Sequence, residues 1–146
     1  MTFHKGEAVV RQGEKSGCMY RIVSGTIGVY KHEKKVAELH EGDFIGEMEL
    51  IEDRPCSATG IVLSETAELD RYSEDNWLEL FETSPVQVYL IMKQLTEKLR
   101  LTTQDYTEAC RTVHEILVTA QSHQKPSEEL LEAMQRFSGV YESMSL

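Results

Sequence analysis

Glycine is distributed unevenly along this chain of 146 residues, and its distribution divides the chain into two parts. Eight of the nine glycines fall in the first 60 residues, and the stretch from Ile61 to Ser138 contains none. Glycine suits tight turns and disfavours helix interiors, by up to about 1 kcal/mol relative to alanine. The sequence therefore predicts strands joined by turns first and helices afterwards.

In the first part, short apolar runs rich in β-branched and aromatic residues alternate with the turns. They predict strands at Ala8 to Val10, Met19 to Val23, Thr26 to Lys31, Val36 to Leu39, Ser57 to Leu63 and Ala67 to Tyr72. Ser24-Gly25 predicts a hairpin turn between two of these strands, and the charged run 31–35 is interpreted as a solvated hairpin tip. Many short strands at this spacing are typical of a sandwich, jelly roll or barrel.

The second part predicts helices. Ser73 is the expected cap of a short helix through Leu80, and Pro85 the first residue of a much longer one. Pro126 ends that helix, and another is expected from Ser127 to about Gly139.

Along the long helix, a seam of residues recurs at alternating spacings of three and four: Met92, Leu95, Leu99, Thr102, Tyr106, Ala109, Val113, Ile116 and Ala120. This is a heptad pattern. A helix that packs on its own β domain usually has a wider apolar stripe. The pattern therefore predicts a homodimer through helix 85–123, with packing against the β domain as the alternative.

Functional chemistry is concentrated in residues 45–59, which include Gly46, Glu47, Met48, Cys56, Ser57, Ala58 and Thr59. This order resembles the phosphate-binding cassette of the cyclic-nucleotide-binding domain family, the type found in the catabolite activator protein and in regulatory subunits of cAMP-dependent protein kinase. The segments 5–14, 19–30 and 39–47 resemble the same family, so the resemblance covers residues 3 to about 106 in unbroken order.

The resemblance implies a binding role for each end of the cassette. A carboxylate at Glu47 accepts a hydrogen bond from the ribose 2′-hydroxyl, and Gly46 lets the backbone approach the sugar closely. The backbone N–H groups of Ser57 and Ala58, with the Ser57 hydroxyl, would cradle the phosphate. Met48 belongs to the same predicted binding set.

Cys56 departs from the family pattern, which has an arginine at this position. A thiol cannot replace the bidentate contact of a guanidinium with a phosphate. Losing such a charged partner costs about 1.5–3 kcal/mol. Arg54 is the candidate substitute cation, although a solvated surface charge is the more common role of a loop arginine. Cys56 itself is interpreted as a small, poorly reactive filler.

The resemblance also implies that the long helix closes over the base. When the chain is aligned with the family, Thr102 and Thr103 would contact a purine edge. An equally good interpretation is that Thr102 occupies a heptad position where it fixes the register of paired helices. Tyr106 is more often a core aromatic than a stacking platform.

Composition limits the function classes. With a net charge of −10 and a pI near 4.9, the chain lacks the basic surface that binding to nucleic acids or anionic membranes requires. No apolar run approaches the length of a membrane span. Three scattered cysteines suit a reducing, cytoplasmic setting. The five histidines are dispersed, so no metal site and no enzyme are expected.

The predicted fold is mainly β with α: an antiparallel jelly-roll barrel (double-stranded β-helix) in residues 1–72, a short and a long helix in 73–125, and a terminal helix and tail in 126–146. The predicted function is a non-enzymatic sensor that binds cAMP or cGMP weakly, needs no cofactor and signals through its C-terminal helix to an unidentified protein partner. The alternatives are a dimerising interaction module with an empty pocket, and a pocket for a different, less charged ligand.

Overall fold

The fold described is that of a computed structural model, which describes residues 1–122 and 125–144 of the chain, with side chains as far as residue 136. Eight strands come first: β1 Thr2–His4, β2 Ala8–Val10, β3 Cys18–Ser24, β4 Ile27–Lys31, β5 Lys34–Leu39, β6 Phe44–Ile45, β7 Thr59–Val62 and β8 Thr66–Ser73. The six-residue helix α1, Glu47–Glu52, interrupts them. The predicted order of strands before helices is confirmed.

The remaining elements are helical. A single 3₁₀ turn, Trp77–Glu79, leads into α2, Leu80–Thr83, followed by α3, Pro85–Ser122, and α4, Glu128–Met144. Ser73 does not cap a helix as predicted. It ends β8, where its N–H donates to the side-chain oxygen of Asn76 at 2.7 Å.

The strands form two antiparallel sheets of four, in the orders β1-β8-β3-β6 and β2-β7-β4-β5. Apolar side chains from both sheets share one buried cluster, which includes Ile22 and Leu69 from the first sheet and Ile27 and Val62 from the second. Across residues 1–122 and 125–144 the strands do not close into the single barrel that the sequence predicts, so the β part is a two-sheet sandwich.

The predicted hairpin at Ser24-Gly25 is wrong. β3 pairs with β6 and β8, whereas β4 pairs with β5 and β7, so this turn carries the chain from one sheet to the other. Gly25 has φ +95°, and a Cβ there would lie 2.7 Å from the carbonyl oxygen of Thr66. The glycine is needed for a close crossing between sheets rather than for a hairpin.

The charged tip of a hairpin is confirmed at His32-Glu33, which join β4 to β5. Both residues have positive φ, 46° and 65°, as two-residue hairpin turns require.

The chain divides into two compact units, Met1–Leu95 and Thr96–Leu146. The start of α3 therefore belongs with the strands, which differs from the predicted boundary after residue 72. In the second unit, Leu130 of α4 and Thr112 of α3 are buried, and Arg136 forms an ion pair with Glu108.

The terminal helix is longer than predicted. It continues past Ser138-Gly139 to Met144. A single interior glycine costs a helix only about 1 kcal/mol, so it did not mark the end of this one.

Candidate functional site

The cassette begins where β6 ends and the chain turns sharply into α1. Gly46 occupies this turn with φ +85°, and a Cβ on it would lie 2.6 Å from the carbonyl oxygen of Cys18. A glycine is therefore required by both conformation and space. Glu47, the first residue of α1, is only 2% exposed, whereas Met48 is 44% exposed.

A second buried carboxylate, on Glu49, lies in the centre of the cassette. It is 5% exposed. The carboxylate accepts hydrogen bonds from the backbone N–H groups of Ser16 and Gly17, the latter at 2.9 Å, and from the Ser16 hydroxyl at 3.1 Å. The Cys56 thiol donates to the same carboxylate. Four donors thus converge on one side chain, which matches the number of lone-pair sites on a carboxylate.

These contacts set the ionisation of both partners. Burial opposes ionisation of Glu49, but the hydrogen bonds from Cys56, Gly17 and Ser16 outweigh it and hold its pKa below the ordinary value. Burial, together with the adjacent Glu49 charge, raises the pKa of the Cys56 thiol to about 12. Near neutral pH the pair therefore consists of a carboxylate and a protonated thiol.

The segment between β2 and β3 is fastened to this cassette. The Gly13 N–H donates to the carbonyl oxygen of Cys56, and the Cys56 N–H donates to that of Glu14, each at 2.9 Å. Lys15 forms an ion pair with Asp53 at 2.7 Å. Together with the Glu49 bonds, these contacts join the two ends of the cassette to one loop.

We expect Cys56 to resist alkylation in the folded protein. It is 6% exposed, and a thiol whose pKa is about 12 has a thiolate fraction of roughly 10⁻⁴ near pH 8. Cys110 is exposed and provides an internal control. Iodoacetamide labelling followed by peptide mass spectrometry should modify Cys110 first. Equal rates at the two cysteines would contradict this structure of the cassette.

The remaining predicted phosphate contacts lie at the cassette's exposed end. Ser57 is exposed and Ala58 half-buried. Arg54, the candidate substitute cation, has an exposed side chain, and its backbone N–H donates to the carbonyl oxygen of Glu49 at 3.3 Å. Its role toward a phosphate stays a prediction.

Contacts within the first unit connect the cassette to the start of α3. Leu50 of α1 lies in a buried cluster with Phe44 of β6 and Ile91 of α3. The Gln94 side-chain amide accepts from the N–H of Phe44 and donates to its carbonyl oxygen, both at 2.8 Å. These contacts pack β6 and α1 directly against the start of α3.

Thr102 and Thr103 lie further along α3, in the second unit, and both are exposed. Their hydroxyls donate to the carbonyl oxygens of Lys98 and Leu99, at 2.9 and 2.8 Å. Such bonds within a helix are the usual arrangement for threonine. The predicted contacts of this pair with a base stay a prediction. Tyr106 is 70% exposed and not a core residue in this chain.

The role of Glu49 was not predicted from the sequence. Its only local signal is a charged residue between the apolar Met48 and Leu50. Its function in the cassette depends on Ser16, which is 33 residues away in the chain.

The described residues contain no group of three or more His, Cys, Asp or Glu side chains suited to a metal ion. None of the helices within that part of the chain is long and apolar enough to cross a membrane. Cys18, Cys56 and Cys110 are free thiols.

Comparison with known proteins identifies the family. The sequence profile of the cyclic nucleotide-binding domain matches residues 1–84. A regulatory subunit of cAMP-dependent protein kinase from Dictyostelium discoideum is 37% identical over 81 residues, which are 49% of this chain and 25% of the relative.

Two solved structures share the fold. The catabolite activator protein of Thermus thermophilus matches 91% of this chain and 70% of its own, with a TM-score of 0.65 and 19% identity. A regulatory subunit of a cAMP-independent protein kinase A from Trypanosoma cruzi, bound to guanosine, matches 60% of this chain and 31% of its own, with a TM-score of 0.53 and 26% identity.

The chain spans about a quarter of the Dictyostelium relative, so the family is established for this domain and not for a whole protein. The match over residues 1–84 extends across both sheets and includes the cassette. This chain belongs to the cyclic nucleotide-binding domain family.

Proposed function

We propose that this domain is a non-catalytic regulatory sensor that binds a purine ribonucleoside or its cyclic mononucleotide at the cassette. The observation that carries the proposal is the pairing of Gly46, in a left-handed turn, with Glu47, a carboxylate that is 2% exposed. A buried carboxylate beside a backbone without a side chain suits a ribose hydroxyl, which is a hydrogen-bond donor. Membership of the family supports the same conclusion.

Cyclic AMP or cyclic GMP is the ligand that the sequence predicts, and the names of relatives support that class. The guanosine-bound structure from Trypanosoma cruzi supports a ligand without a phosphate. Guanosine and the cyclic nucleotides share the purine and the ribose, so the proposed contact of Glu47 with the ribose applies to both ligand classes.

The signal would pass from the cassette to α3. Leu50 shares a buried cluster with Ile91, and Gln94 is bonded to both backbone groups of Phe44. A ligand that prefers one position of α1 would thereby select one position of the start of α3. This step requires differential affinity for two arrangements, and the output partner is a protein that recognises one of them.

Self-association through α3 is the proposed oligomeric state. Four seam residues at seven-residue spacing, Met92, Leu99, Tyr106 and Val113, are each more than half exposed. A second copy of the helix would bury this stripe, as in a heptad pairing.

A dimerising interaction module without a ligand is the competing function. Cys56 in place of the family's arginine favours it, because a thiol at that position cannot make the bidentate contact of a guanidinium with a phosphate.

Isothermal titration of the purified chain with guanosine, adenosine, cyclic GMP and cyclic AMP distinguishes these functions. We expect saturable heat with at least one of them. Glu47→Gln should weaken that binding by about 10-fold or more, because a charged hydrogen bond to the ribose is lost. Glu52→Gln, which changes an exposed carboxylate of the same helix, is the matched control and should bind normally. Silence with all four ligands would favour the interaction module.

A further inference from the structure

The cassette already contains an anion of its own. The Glu49 carboxylate bonds to the backbone of Ser16 and Gly17 and to the thiol of Cys56. Cys56 stands where the family resemblance places a phosphate-binding arginine. The Cys56 position at the closing end of the cassette is thus bonded to a negative charge, where a phosphate ligand would need a positive one.

No cation is bonded to this carboxylate in the described part of the chain. Within residues 1–122 and 125–136, no Lys, Arg or His forms an ion pair with Glu49. Lys15 attracts it only at longer range and is itself bonded to Asp53. The donors that hold the carboxylate are two backbone N–H groups, a hydroxyl and a thiol, all of them neutral. They satisfy the carboxylate but leave its net charge in place.

We propose that the cassette selects an uncharged purine ribonucleoside and rejects cyclic nucleotides, with Glu49 as the residue that sets this preference. The inference rests on the proposed function, since it assumes that a purine and a ribose bind beside Glu47. It names the ligand class of that site.

Two physical effects separate the ligand classes. A phosphodiester within a few ångströms of Glu49 meets a like charge in a partly buried setting, where Coulomb interactions are much stronger than in water. It also lacks the bidentate arginine contact. Together these effects should weaken binding of a cyclic nucleotide by about 100-fold relative to its nucleoside.

A nucleoside gains from the same carboxylate. Its ribose hydroxyls are strong donors, whereas the Cys56 thiol is a weak one. A hydroxyl that replaces the thiol on Glu49 exchanges a weak donor for a stronger one, and the acceptor is ionised in both cases. A cyclic phosphodiester has no free 5′-hydroxyl to donate, because that oxygen is esterified.

The test compares nucleosides with cyclic nucleotides on the wild type and three variants, by isothermal titration. On the wild type we expect guanosine or adenosine to bind about 100-fold more tightly than the matching cyclic nucleotide. Glu49→Ala should reduce this ratio of nucleoside affinity to cyclic nucleotide affinity, because the charge that repels the phosphate is removed. Cys56→Arg alone should improve cyclic nucleotide binding little, since the new guanidinium would pair with Glu49.

The double variant Glu49→Ala/Cys56→Arg should reverse the preference in favour of the cyclic nucleotide. Glu52→Ala removes an exposed charge from the same helix and should leave the ratio unchanged. Thermal melts identify any variant that fails to fold. Glu49→Gln is then the substitute for Glu49→Ala, because its one amide oxygen can still accept from the Ser16 and Gly17 N–H groups while the charge is removed.

The outcomes separate the two proposals. Equal or tighter binding of cyclic nucleotides to the wild type overturns this inference and leaves the sensor intact. An unchanged ratio in the Glu49 variants overturns the part assigned to Glu49. Failure of every purine ligand on the wild type overturns both the sensor and the ligand class.

Discussion

Gly46→Ala is expected to destabilise the first unit by about 3–5 kcal/mol. Two costs add at this position. An alanine with φ near +85° is strained, and its Cβ would lie 2.6 Å from the carbonyl oxygen of Cys18, a backbone atom that cannot rotate away. The turn from β6 into α1 would have to open to relieve the contact. Urea unfolding, followed by circular dichroism, measures the loss.

Gly42→Ala is the matched control for this change. Gly42 has a similar φ of +90°, but nothing lies within 4 Å of its added Cβ. The loss of stability in Gly42→Ala therefore reports the conformational strain alone, which costs about 1–2 kcal/mol. The difference between the two variants therefore measures the close approach of β3 to the cassette. Equal losses for Gly42→Ala and Gly46→Ala would mean that this approach is looser than the structure describes.

Local pattern was enough to predict the order of elements, because turns and periodicity are local properties. The glycine-rich part became strands, the glycine-free part became helices after the last strand, β8, and the hairpin at His32-Glu33 was predicted from its charged run. β6 was missed, since two residues, Phe44–Ile45, are too few to form a period. The sandwich was taken for a barrel because sheet closure depends on pairings between residues distant in the chain.

In the candidate site, too, local features could be predicted from the sequence and long-range contacts could not. Gly46 and Glu47 are adjacent and form a motif, so the sequence alone was enough to predict them as ligand contacts, and that role stays a prediction. Glu49 has no motif of its own. Its role comes from the bonds of Ser16, Gly17 and Cys56, and only the folded chain brings these donors together. The family resemblance concerns the position of Cys56, where the family has an arginine, and implies nothing about the carboxylate of Glu49 to which this thiol is bonded.

Glu49→Gln is expected to destabilise the first unit by about 2–4 kcal/mol near neutral pH, because charge-assisted hydrogen bonds are among the stronger ones and burial makes their loss costly. The loss should depend on pH in a defined direction. The pKa of Glu49 is lower in the folded state than its ordinary value. Its contribution is therefore fully present above the unfolded pKa of about 4.3 and disappears as pH falls through the folded pKa.

The wild type and Glu49→Gln should therefore differ most near neutral pH and converge in acid. Urea unfolding of both proteins at several values between about pH 7 and pH 3 tests this. Glu52→Gln, at an exposed position of the same helix, should stay within about 0.5 kcal/mol of the wild type near neutral pH. A gap that remained constant down to pH 3 would mean that shape, rather than the ionised carboxylate, stabilises the loop. A gap that closes in acid would establish a buried charge in the cassette, which is the property on which selection against anionic ligands depends.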